Sequence, residues 1–251
     1  MRKIPVIGIV MVLISACSPK PVPVLPAQQQ FELAKKYYNN KKYHKALPEF
    51  EKLIYAYPGN IVIDSAQFFL AMCYYNQKDY PEAIGEYKRL LQSYPQSEFA
   101  DDSQYYLACC HFKMSPKYQL DQSETYLAIE AFQLLLSNYP VSPFNDDARH
   151  KLAELDSKLA QKKFMTGILY LKNGDYQPAL LYFWNVRDNH PATPWAIEAI
   201  YYTGEAQIRM GSKSEGIQTL KAFADGFPNH KLAAKARRML EKLRNDSSVA
   251  G

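Results

Sequence analysis

Apolar residues recur along most of the chain at the three- and four-residue spacing of amphipathic helices, and the pattern itself repeats. Residues 40–60 (NKKYHKALPEFEKLIYAYPGN) share their spacing with residues 76–97 (NQKDYPEAIGEYKRLLQSYPQS), 37 positions later. A ring residue followed by proline then recurs at Tyr57-Pro58, Tyr94-Pro95, Tyr139-Pro140, His190-Pro191 and Phe227-Pro228. Because proline cannot continue a helix, these five dipeptides predict five helix ends.

Each unit also has a small residue upstream of its proline, followed four positions later by a large apolar one. These pairs are Ala46/Phe50, Ala83/Tyr87, Ala128/Phe132, Ala179/Phe183 and Gly216/Leu220. With a second helical block before each pair, the pattern resembles the tetratricopeptide repeat of about 34 residues. It predicts an all-α fold, a tetratricopeptide-repeat solenoid of about five helix pairs plus a C-terminal capping helix. Such units stack because no single pair can bury its apolar face alone.

The repeats are not equally spaced, since successive prolines lie 37, 45, 51 and 37 residues apart. The third unit has extra residues near 114–125, between its two helices. The fourth has its extra residues before its first helix, so residues 145–173 are predicted to form one long helix. Residues 231–244 (KLAAKARRMLEKLR) are predicted to form the basic capping helix, with either a solvated face or a face for an acidic partner or anionic lipid.

The N-terminus has the features of an exported lipoprotein. Arg2 and Lys3 precede an apolar run over residues 4–14, which ends in LISAC. This resembles a bacterial lipobox, so residues 1–16 are predicted to be a signal peptide and Cys17 the lipidated residue; the alternative is an ordinary secretory signal. Residues 17–27 contain four prolines and are predicted to form an extended tether. Serine at position 18 resembles the outer-membrane sorting signal of enteric bacteria.

The composition excludes several classes of function. A net charge of +5 in 251 residues is too small to argue for nucleic acid as a partner. The chain has no catalytic or phosphate-binding motif and its five histidines are scattered, so we expect no enzyme activity, no cofactor and no metal. Beyond Cys17 there are Cys73, Cys109 and Cys110, which we expect to be buried free thiols, a disulfide being the alternative.

Aromatic residues occupy two recurring positions of the first helices. In repeats 1 to 3 the fifth repeat position is Phe31, Phe68 and Tyr105, and the twelfth is Tyr38, Tyr75 and Phe112. Seven residues separate the two positions, so they share one helix face, with Lys35 and Met72 between them. One interpretation is a groove for an extended apolar peptide, formed by these eight residues. The other is that the rings only pack helix on helix.

The order of the insertions resembles one family as a whole. Residues 120–163, the first repeat and the lipobox together are similar to the BamD family, the tetratricopeptide-repeat lipoproteins of the outer-membrane β-barrel assembly machinery. The resemblance implies that the N-terminal repeats, residues 28–143, recognise unfolded outer-membrane β-barrel proteins by their C-terminal segment. It implies that residues 144–246 dock on the periplasmic domains of BamA. Other assembly lipoproteins are further implied partners.

Two other classes of repeat protein remain as alternatives. One is a periplasmic protein that coordinates peptidoglycan or division machinery, but such proteins usually have an N-terminal coiled coil, and none is predicted here. The other is a pilotin, a lipoprotein that assembles a pilus secretin. The insertion in the third unit and the long helix of the fourth disfavour it.

Overall fold

The computed structural model describes residues 25–249, with side chains to Asn245, and its regular secondary structure is entirely α-helical over that range. The predicted signal peptide, Cys17 and most of the tether lie outside the described residues. The described chain forms α1 (Ala27–Asn39), α2 (Tyr43–Ala56), α3 (Ile63–Gln77), α4 (Tyr80–Ser93), α5 (Ala100–Met114), α6 (Ser123–Asn138), α7 (Asn145–Asn173), α8 (Tyr176–Asn189), α9 (Pro194–Met210), α10 (Lys213–Gly226) and α11 (Ala233–Val249).

Consecutive helices pack in pairs from α1·α2 to α9·α10, and α11 packs on α10. The predicted solenoid of five helix pairs and a capping helix is therefore confirmed. First helices of neighbouring repeats also approach one another, α1 with α3, α3 with α5 and α7 with α9. This places the first helices on the narrower, inner side of the stack.

The predicted proline marks end the second helix of every pair. The residue before each proline has left the helical region, with φ near −130° at Tyr57, Tyr94, Tyr139, His190 and Phe227. Proline disfavours the α conformation in the residue before it, which explains the common ending. The small and large residues upstream are in the core, as at Ala46 and Phe50, both 0% exposed.

The predicted long helix is observed as α7, which takes part in two hydrophobic cores. Leu155 belongs to the core of repeats 2 and 3, and Phe164 belongs to the core of repeat 4. The extra residues of repeat 3 form a loop between α5 and α6 that lies on α7. There the Lys158 amine donates to Ser115 Oγ at 2.8 Å, and the Lys162 amine donates to the Leu120 carbonyl at 2.5 Å.

The three described cysteines are free and buried, as predicted. Burial raises the pKa of the Cys73 thiol to about 12 and that of Cys109 to about 11, because an apolar environment disfavours the thiolate. Their protonated, inaccessible sulfurs contribute to helix packing.

Candidate peptide-binding surface

The aromatic rings at the fifth repeat position pack within and between repeats. Phe68 stacks on Phe99 of the next repeat at 4.6 Å between ring centroids, and Tyr105 stacks on Phe144 at 4.2 Å. Phe31 and Tyr105 keep part of their surface exposed, whereas Phe68 is only 5% exposed. Phe68 therefore lies in the core, beneath the inner surface. The ring of Phe99 covers the side of Phe68 that the repeat pattern predicts to be exposed.

The rings at the twelfth position lie closer to solvent. Tyr38 and Tyr75 are half-buried, and each meets a ring of the following repeat edge-on, at 5.2 Å. Burial raises the pKa of Tyr38 to about 12 and raises that of Tyr75 further, so both phenols are neutral hydrogen-bond donors at neutral pH. Between them, Met72 is half-buried and its sulfur accepts a hydrogen bond from the Tyr87 hydroxyl at 3.0 Å.

The partner rings of Tyr38 and Tyr75 are Phe69 and Tyr106, and sequence reasoning missed both. They occupy the sixth repeat position, 37 residues apart, and connect the rows into one aromatic surface. Phe69 contacts the rings of Phe31, Tyr38, Phe50, Phe68 and Phe99. The recurring doublets Phe68-Phe69 and Tyr105-Tyr106 were the available signal.

Lys35 places a cation on this aromatic surface. Its amine lies 3.2 Å from the centroid of the Phe69 ring and 5.7 Å from that of Tyr38. Burial lowers the pKa of the amine, and the nearby Glu32 carboxylate opposes that effect only in part. Among the side chains of residues 25–245, none forms an ion pair with Lys35. The ring faces hold the ammonium by cation–π attraction, and its remaining donors suit a carboxylate ligand.

The aromatic surface ends at the long helix. The Tyr105 hydroxyl donates to the Asp147 carboxylate at 2.6 Å, and the Lys151 amine lies 2.8 Å from the same carboxylate and 5.4 Å from the centroid of Phe112. Burial alone would raise the pKa of Asp147, but hydrogen bonds from Lys151 and Tyr105 outweigh it and lower that pKa. The third repeat thus closes the surface with a fixed polar contact to α7.

No group of His, Cys, Asp and Glu within residues 25–249 is arranged to hold a metal ion. No helix in the same range is long and apolar enough to cross a membrane.

The five stacked helix pairs and the capping helix define the chain as a tetratricopeptide-repeat solenoid. The family model described as "YfiO: Outer membrane lipoprotein" matches residues 23–221. The chain therefore belongs to the YfiO family of outer membrane lipoproteins. It is also 27% identical over 207 residues to "Outer membrane protein assembly factor BamD" of Rickettsia prowazekii (strain Madrid E), covering 82% of each chain.

Solved structures of helical-repeat proteins are similar to the chain at low identity. The TPR2AB-domain:pHSP90-complex of yeast Sti1 shares 14% identity with a TM-score of 0.46, covering 89% of this chain and 86% of that one. MamA protein shares 17% identity with a TM-score of 0.37, covering 83% and 94%. At these identities and TM-scores, nothing about ligands or partners follows from either structure.

Proposed function

We propose that this protein is a non-enzymatic scaffold that recognises unfolded outer-membrane β-barrel proteins and docks on BamA for their folding and insertion. Family membership and the similarity to the Rickettsia assembly factor support the general role. The observation that supports client recognition is the Lys35 amine, held over Phe69 beside Tyr38 without a carboxylate partner among the described side chains.

The proposed ligand is the C-terminal strand of a client in an extended conformation. Strands of such barrels alternate apolar and polar residues, so one face of the strand presents an apolar side chain roughly every 6.6 Å. These side chains would contact the partly exposed rings of Phe31, Tyr38 and Tyr75. The terminal carboxylate would meet Lys35. Because the rings already pack on one another, little of each is free for a ligand, and weak, reversible binding is expected.

The remaining parts of the proposal follow the division of the solenoid at α7. Repeats 4 and 5 with the capping helix, residues 144–246, form the docking region for BamA. Repeats 4 and 5 have hydrophobic cores of their own, and only the first half of α7 packs into the core of repeats 2 and 3, which is consistent with two binding regions.

We propose that a lipid on Cys17 anchors the protein, a residue that lies outside the described part of the chain. In cell fractionation with BamA depleted and the membranes washed at high salt, Cys17→Ala should move the protein to the soluble fraction, because the wash removes electrostatic membrane contacts and leaves a lipid anchor intact. Persistent sedimentation with the outer membrane under those conditions would contradict the anchor.

Client recognition is tested by removing the charge on each side of the contact in turn, the Lys35 ammonium and the terminal carboxylate of the peptide. A peptide of a client's last ten residues is titrated, as the free acid and as the C-terminal amide, against wild type and Lys35→Met. Methionine keeps the apolar stem of lysine and removes the ammonium, so Lys35→Met should bind the free acid about tenfold more weakly. The amide should bind both proteins equally, because it lacks the charge that Lys35 is proposed to meet.

Lys36→Met is the matched control, since Lys36 is exposed on the neighbouring side of α1. It should leave peptide binding unchanged, and circular dichroism should show all variants folded. Equal binding of the free acid by wild type and Lys35→Met would refute the client surface. In a pull-down, Lys35→Met should retain BamA; loss of BamA would contradict the division between the two regions.

A further inference from the structure

The basic character of the protein is concentrated at its C-terminal end. Between Lys213 and Asn245 there are eight lysines and arginines and three acidic residues, a surplus of five that equals the formal net charge of the whole chain. The remainder of the sequence is therefore balanced in charge. A surplus confined to one end creates a local positive potential that a uniformly mixed surface would not have.

Two lysines hold the capping helix on α9, one just before α11 and one in its first turn. The Lys231 amine lies 2.6 Å from a Glu198 carboxylate oxygen, and the Lys235 amine lies 3.5 Å from the buried Glu205. Lys235 also lies 5.2 Å from the centroid of the Tyr201 ring. These two lysines therefore have an intramolecular role.

Four other cations of α11 are exposed and form no ion pair with the described side chains of residues 25–245. They are Arg237, Arg238, Lys242 and Arg244. Arg238 and Lys242 lie three and seven residues after Lys235 and share its face of α11, whereas Arg237 and Arg244, seven residues apart, share the opposite face.

Part of this face borders an open cleft of about 650 Å³ between α10 and α11. Its apolar floor is aliphatic and consists of Ile217, Leu240 and Leu243. Its rim has three cations, Lys221, Arg237 and Arg244, and one acid, Glu241. An aliphatic surface with a cationic rim is complementary to an anionic amphiphile.

A phospholipid surface fits this cleft better than a protein does. Protein interfaces are enriched in aromatic residues, methionine and arginine and are depleted in lysine. Of the enriched residues this cleft has only the arginines, and Lys221 lies on its rim. Basic amphipathic helices bind at membrane interfaces, where long cationic side chains cover apolar surface and reach the phosphates. Arginine adds paired hydrogen bonds to phosphate oxygens. The chain belongs to a family of outer membrane lipoproteins, so a lipid surface is within reach.

We propose that the α10–α11 end of the solenoid is a second membrane contact, which binds anionic phospholipid through Lys221, Arg237 and Arg244 around the cleft. This contact uses one cleft within the region proposed to dock on BamA, is separate from the lipid on Cys17 and does not rest on client recognition. It would orient the solenoid along the membrane surface by holding both ends near it.

The test is co-sedimentation of the mature chain carrying Cys17→Ala with vesicles, so that no covalent lipid contributes. The vesicles are phosphatidylcholine alone or phosphatidylcholine mixed with phosphatidylglycerol. Binding should require phosphatidylglycerol and weaken at high salt, because ions screen these exposed charges. Adding Arg237→Gln and Arg244→Gln should weaken binding at least fivefold. Inorganic phosphate at millimolar concentration should not compete, since the ligand is a lipid surface.

The matched control is the double variant Lys88→Gln and Lys172→Gln, which removes the same charge from exposed positions elsewhere. It should bind vesicles as the parent does. Equal weakening by the control pair would mean that only net charge matters, and the site would be refuted. The proposal also fails if neutral and anionic vesicles bind alike. It fails too if the arginine pair alters only a BamA pull-down, because the face would then dock a protein.

Discussion

The first two repeats and the last repeat bring their helices together with different small residues. In repeats 1 and 2 these are fully buried alanines of one core, Ala34 and Ala46 in repeat 1 and Ala71 and Ala83 in repeat 2. In repeat 5 they are Gly204 and Gly216. A Cβ atom on Gly216 would lie 2.5 Å from the Ile208 side chain and 2.8 Å from the Gly204 carbonyl oxygen. The last pair therefore approaches more closely than alanine permits.

The turns within these repeats differ in a similar way. A left-handed residue follows the first helix in four of the five repeats. It comes directly after the helix at Lys78, Gly174 and Gly211, with φ of 68°, 87° and 102°, and one residue later at Lys41, with φ of 57°. Each turn is closed by the same hydrogen bond, such as Asp79 N–H to the Tyr74 carbonyl at 3.0 Å and Ser212 N–H to the Gln207 carbonyl at 2.9 Å. This is the Schellman geometry that glycine favours.

The comparison shows that the repeats share one backbone conformation at this turn, whereas the residue type that occupies it differs from repeat to repeat. Lysine is tolerated in a left-handed turn where the flanking helices are well packed, although that conformation costs about 1–2 kcal/mol for an L-residue. Glycine is required where a neighbouring atom occupies the space of a Cβ, as at Gly216, and it is favoured where φ is strongly positive, as at Gly211. Replacing glycine by alanine in repeat 5 should therefore destabilise the protein, whereas replacing lysine by glycine in the turn of repeat 2 should stabilise it.

The largest effect is expected for Gly216→Ala. The new methyl group would meet a backbone oxygen that cannot move without shifting α9, and overpacking of this kind costs about 1–3 kcal/mol. Urea unfolding followed by circular dichroism should show a lower midpoint. The control is Gly85→Ala on the exposed face of α4, where nothing lies within 4 Å of an added Cβ. It should raise stability by roughly 0.5–1 kcal/mol, because alanine is the better helix former.

If Gly216→Ala raised the midpoint as Gly85→Ala should, the helices of repeat 5 would have room to separate. The close approach of the two helices would then result from the presence of glycine, and the fold would not require glycine at position 216. The difference between the two glycines would disappear, and repeat 5 would be equivalent to the alanine repeats.

Most of the fold could be predicted from the sequence because its signals are local. The proline dipeptides end helices through the conformation of one residue, and α7 was predicted to its observed limits, Asn145–Asn173, from the spacing of those prolines. The aromatic surface was predicted only in part. The positions of Tyr38 and Tyr75 follow from helix periodicity, which the neighbouring repeat does not alter.

Two features of the surface depend on contacts between repeats, which periodicity does not describe. Phe99 covers Phe68 from the start of the next first helix, and Phe69 reaches back to Tyr38. Both contacts depend on how far one helix pair rotates against the next. The basic helix α11 was recognised, but its division into two lysines that bind α9 and four exposed cations required the packed structure.

The smallest effect is expected at the turn, for Lys78→Gly. Glycine removes the strain of φ at 68°, and its greater freedom in the unfolded chain offsets part of that gain, so stability should rise by about 0.5 kcal/mol. Lys78→Ala separates the two explanations for a gain, because alanine removes the charged side chain but keeps the Cβ responsible for the strain. It should leave the urea midpoint nearly unchanged.

In the reciprocal experiment, Gly211→Ala at φ of 102° should destabilise the protein by about 1 kcal/mol. Equal gains in stability from Lys78→Gly and Lys78→Ala would show that the lysine charge, and not its backbone conformation, is unfavourable. Backbone strain would then not explain the difference between the lysine and glycine turns.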